Sequence, residues 1–71
     1  LLNNDGVKAL NANNFQLAIQ KFEEALKLDP SYQIARDNLA IAYNNYALKL
    51  PPAQAIKYFH KALAMSPANT T

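Results

Sequence analysis

The chain has no cysteine and no tryptophan, and only one glycine, one valine and one histidine in 71 residues. Without cysteine, disulfide frameworks and thiolate metal sites are excluded, and a lone imidazole, His60, makes a metal site only where several carboxylates converge on it. A single glycine, Gly6, cannot build a glycine-rich phosphate loop. Strand formers are scarce as well: four Ile, one Val and three Phe stand against thirteen Ala and ten Leu, a balance that favours helix over sheet. No apolar run approaches the ~18 residues of a membrane span, and no charged start followed by an apolar core marks a signal segment. The sequence opens Leu1-Leu2 without an initiator Met, so it is expected to be a piece of a longer protein. Its compartment is then unreadable.

What is present bounds the chain to one small domain, residues 1–71. A globule of this size hides only ~60% of the surface its unfolded chain exposes, so support is expected from packing, a partner or further units of its own kind. Seven Lys and Arg against five Asp and Glu give a net charge of +2. The cations (Lys8, Lys21, Lys27, Arg36, Lys49, Lys57, Lys61) are spread along the chain, whereas nucleic-acid or anionic-membrane binding wants a concentrated patch. Neither partner is expected.

Internal repetition organises the rest. The segment from Ala18 to Pro30 (AIQKFEEALKLDP) aligns with Ala55 to Pro67 (AIKYFHKALAMSP), with Ala, Ile, Phe, Ala, Leu and Pro recurring at an offset of 37. Upstream the match continues at an offset of 34, pairing Asn4 with Asn38, Gly6 with Ala40 and Asn11 with Asn45. The sequence thus holds two copies of one unit, about residues 1–32 and 33–69, the second with three extra residues near 47–52.

Apolar spacing makes each unit a pair of helices. Phe15, Ala18, Ile19, Phe22, Ala25 and Leu26 follow the i, i+3, i+4, i+7 rule, and Ile56, Phe59, Ala62 and Leu63 repeat it. Ala35, Leu39, Ala42, Tyr43 and Tyr46 form a third stripe, and Val7, Ala9 and Leu10 a weaker one between Leu2 and Ala12. Asn13-Asn14 is expected to cap the second helix. Asp29-Pro30-Ser31 is expected to close that helix and cap the third, Pro51-Pro52 to start the fourth, and Ser66-Pro67 to end it. The connections are short, so successive helices lie antiparallel.

These residues resemble the tetratricopeptide repeat, a helix-turn-helix unit of about 34 residues with the pattern W-x2-L-G-x2-Y, A-x3-F, P. Leu2, Asp5, Gly6, Ala9, Ala18, Phe22 and Pro30 fill the pattern in the first copy; Arg36, Leu39, Ala40, Tyr43, Ala55, Phe59 and Pro67 fill it in the second. Asp5, Ala9 and Arg36 depart from it, since the family prefers large apolar side chains there. The resemblance implies an all-α fold of two tandem antiparallel helix-turn-helix repeats, four helices stacked as a right-handed α-solenoid. Gly6 and Ala40 would let the helices of a unit approach closely, Ala18 and Ala55 would sit at their crossings, and Ala25 and Ala62 would meet the first helix of a following unit.

In function the resemblance implies a scaffold that binds an extended peptide or a helix along a concave face lined by the first helix of each unit. The corresponding residues are Asn4, Val7 and Asn11, with Asn3 and Leu10 nearby, and Ile34, Asp37, Asn38, Ile41 and Asn45, with Asn44 nearby. A side-chain amide both donates and accepts, so Asn4 and Asn38, one unit apart, could serve a peptide backbone without reading its side chains; equally, they could join adjacent helices. A clamp for a C-terminal carboxylate is not expected, because Asn3 and Val7 stand where the first unit would carry Lys and Asn. An assembly unit is the competing expectation. Ile56, Phe59 and Leu63 should pack inward, leaving Ala55, Tyr58, Ala62 and Met65 as a flank for self-association by repeat stacking. Catalysis is not expected, nor any cofactor or metal: His60 should face outward, Ser31 and Ser66 sit at helix boundaries, and Glu23 and Glu24 lie about 100° apart on their helix. Those two carboxylates are expected to pair with Lys27 and Lys21.

Overall fold

The four apolar stripes form four helices in the computed structural model, which describes residues 2–65. They are α1 (Leu2–Asn11), α2 (Phe15–Leu28), α3 (Gln33–Ala47) and α4 (Pro52–Met65), and no strand occurs among the described residues. The Ser66-Pro67 stop and the side chain of Leu2 lie outside the described residues.

Each boundary has a local cause, and two differ from expectation. Asn13 adopts a left-handed conformation, with φ 63°, and closes α1. Its amide donates to the Leu10 carbonyl at 3.0 Å and the Asn14 amide donates to the Ala9 carbonyl at 2.8 Å. This pair of bonds is the Schellman arrangement, usually built on glycine and sometimes on asparagine. Asn14 does stand at the start of α2, where its carbonyl accepts from Ala18, but its side chain makes no capping bond. At the next connection Asp29 accepts from both the amide and the hydroxyl of Ser31, at 3.2 and 2.8 Å, and the Tyr32 amide donates to the Asp29 carbonyl. The carboxylate therefore holds the Pro30 turn together and does not cap α3, whose N-cap is Tyr32, without a side-chain capping bond. Pro52 opens α4 as expected, since its missing N–H needs no partner in a first turn. The Pro51 carbonyl accepts from Gln54 and Ala55.

α3 continues two residues past Asn45, the residue matched to the end of α1, and the rest of the extra segment forms a turn. In that turn Leu48 is exposed and Leu50 is half-buried. α1 packs on α2 and α3 on α4 as two helical hairpins, α2 and α3 join the hairpins, and α1 touches α3 more lightly.

The core is built for close approach. Nine of the twelve buried apolar residues are Ala, and Phe22 is the one large side chain with no exposure among the described residues. Its ring fills the space beside Gly6, where a Cβ would fall 2.5 Å from Cε1. Tyr43, Tyr46 and Tyr58 tie α3 to α4: the Tyr46 and Tyr58 rings meet edge-on at 4.9 Å, and Lys61 Nζ lies 5.0 Å from the Tyr58 ring centroid. Between α2 and α3, Gln16 Nε2 donates to Tyr46 Oη at 2.9 Å, and Tyr43 Oη donates to Glu23 at 2.8 Å.

Arg36, at the position where the tetratricopeptide pattern carries Trp, is half-buried. Its Nε is shielded from solvent and has no hydrogen-bond partner among the described residues.

Candidate interaction surface

Helical spacing puts Ile34, Asn38, Ile41 and Asn45 along one side of α3, and Asn4, Val7 and Asn11 along one side of α1. The two sides are joined where Asn38 Nδ2 donates to Asn3 Oδ1 at 3.2 Å. Asn38 is matched in sequence to Asn4 yet bonds to its neighbour Asn3, so part of its amide capacity links the helices, while Asn4 and Asn11 remain exposed. Asn38 and Asn45 are half-buried, and Val7 and Leu10 pack against the core.

Two apolar side chains stand out on this side. Ile34 is 59% exposed and Ile41 41% exposed, two helical turns apart on α3 with Asn38 between them. Asp37 accepts from Gln33 Nε2 at 2.9 Å. This side thus carries several amides and two exposed isoleucines.

On α4 the expected orientation is reversed. Ala55 and Ala62 are buried, and Tyr58 and Met65 pack against the core, so the four residues assigned to a self-association flank form the inner stripe of the helix. Ile56, Phe59 and Leu63 are instead 55%, 40% and 46% exposed. The reason is steric: residues 55, 58, 62 and 65 also obey helical spacing, and the two alanines let α4 lie close to α3, which the larger stripe would prevent. Ala62 needs no following unit to become buried.

His60 is exposed, and no three of His, Asp and Glu converge among the described residues. Glu23 accepts from Tyr43 and Glu24 from Gln20 Nε2 at 3.3 Å, in place of the lysine pairings expected for them. Burial, followed by the bond to Glu23 and that carboxylate's charge, holds the Tyr43 phenol well above its ordinary range. No helix among the described residues is long and apolar enough to cross a membrane. Comparison with protein-family models, curated proteins and solved structures finds no match.

Proposed function

We propose that this chain is a protein-interaction module of the tetratricopeptide type, taking an extended peptide or a helix across the side shared by α1 and α3. The observation that supports it most directly is the exposure of Ile34 and Ile41 on a side that also carries Asn4, Asn11, Asn38 and Asn45. Isolated exposed apolar residues are ordinary, but two aligned along one helix, on either side of the Asn38 that bonds to Asn3 of α1 and with exposed Asn4 and Asn11 on that helix, form a graded surface. Isoleucines supply apolar contact, and amides pair with a backbone whose polar groups would otherwise lose water. Sequence selectivity is then low unless neighbouring units add to it. No reaction is proposed for the chain.

The test is a titration of the isotope-labelled chain with a degenerate library of short peptides, followed by amide chemical shifts. Shifts confined to α1 and α3, reduced by Ile41→Lys and by Asn4→Ala with the helix content unchanged, are the expected result. A library that moves no resonance on these helices overturns the proposal.

A further inference from the structure

The chain contains its own precedent for what covers α4. At an offset of 37, Ile56, Phe59 and Leu63 correspond to Ile19, Phe22 and Leu26 of α2. In α2 that stripe is closed: Phe22 has no exposure, and Ile19 and Leu26 pack against the core. The difference lies in neighbours, because α2 lies between α1 and α3 whereas α4 packs chiefly on α3. Identical apolar chemistry is therefore covered by a helix in one copy and left open in the other.

The polar edge of the stripe indicates which helix fits. Along α2 this edge carries Glu23, which accepts from Tyr43 of the covering helix α3. At the same place α4 carries His60, with Lys57 in place of Gln20 and Lys61 in place of Glu24. The inversion extends beyond α4: all five acidic residues fall at or before Asp37, and residues 38–71 contain none. A helix covering α4 thus meets donors and cations where α3 met a carboxylate.

We infer that the open face of α4 is a docking site for an amphipathic helix of another polypeptide, one whose apolar stripe is edged by Asp or Glu. This surface is separate from the side shared by α1 and α3. A second copy of the chain fits it poorly. Pairing α4 with α4 would bring Lys57 and His60 toward their counterparts, and α1 carries exposed Asp5 and Lys8 where α3 has buried Leu39 and Ala42.

The experiment uses the full chain and stapled helical peptides with the sequence of α3, the segment that covers the matching face of α2. One peptide carries Tyr43→Glu and the other Tyr43→Lys. The Glu peptide is expected to bind at least about tenfold more tightly, a difference that corresponds to ~1.4 kcal/mol. In the chain, Lys57→Glu combined with His60→Glu should reverse the preference. Both positions are exposed, so folding is preserved. Phe59→Lys should weaken both peptides at least tenfold. Equal affinity for the two peptides, or no binding of either, overturns the inference. So does a concentration-dependent doubling of mass of the peptide-free chain that Phe59→Lys abolishes, since the face would then belong to a second copy.

Discussion

Gly6 sits inside α1 with an ordinary backbone conformation, so space and not φ requires the missing side chain. A Cβ there would approach three atoms of the Phe22 ring at 2.5 to 2.8 Å, and that ring is fully buried and cannot swing away. Two effects then compete in Gly6→Ala: Ala is better than Gly in a helix by ~1 kcal/mol, while overpacking costs ~1 to 3 kcal/mol. The overpacking should win, giving a lower denaturation midpoint. In a Phe22→Leu background the clash is relieved, and Gly6→Ala should stabilise; a double-mutant cycle by chemical denaturation reads both signs. Tyr43 provides a pH test. Its neutral form is favoured in the fold, so nothing is lost below the ordinary tyrosine range near ~10. Above that pH the unfolded chain releases the proton while the folded one retains it, and stability must fall as pH rises. Tyr43→Phe should flatten that decline in melting curves between neutral pH and pH ~11, while costing ~1 kcal/mol at neutral pH through the lost bond to Glu23.

At the scale of elements, the helices were legible because apolar spacing is set by the fold, whereas their ends and faces depend on choices that spacing leaves open. Asn13-Asn14 suits either the start of α2 or the end of α1, since asparagine both caps N-termini and tolerates the left-handed region. The left-handed Asn13 resolves this in favour of the stop, and it also prevents α1 and α2 from merging despite a connection without Gly or Pro. Asn13→Gly should therefore be neutral or slightly stabilising, and Asn13→Val should cost ~1 to 2 kcal/mol, the penalty of a branched side chain at positive φ. Equal stability of the two variants would show that the stop lies elsewhere. α4 was harder to read for a related reason. Its two apolar stripes are displaced by one residue, and a preference for burying the larger one fails where helices must approach closely. In α2 the ambiguity has less consequence, because Ala18, Phe22 and Ala25 are buried and Ile19 and Leu26 pack against the core. Likewise the Asn38 bond to Asn3 depends on side-chain reach that a one-unit match to Asn4 does not encode.

For the molecule as a whole, the total exposed area is unremarkable and its distribution is not. The accessible surface is 4599 Å². A folded monomer of this mass is expected near ~4400 Å². With principal extents of 33 × 24 × 18 Å, the chain is about two helices thick, so a helix is shielded on both sides only where it has two neighbours. α2 has them and α4 does not. If the two copies behave as units of an array, adding a unit should supply the missing neighbour. A chain in which a second copy of residues 33–69 follows Asn69 should bury the first Ile56, Phe59 and Leu63. These are about half exposed now, and completing their burial is worth ~2 to 4 kcal/mol in sum. Such a gain should raise the melting temperature by at least ~8 °C in a single transition. Phe59→Lys in the first of the two units should erase the increase, and the same change in the last unit, whose stripe is still open, should not. Two separate transitions, or equal effects at the two sites, would mean that α4 does not receive the next helix as α2 receives α3.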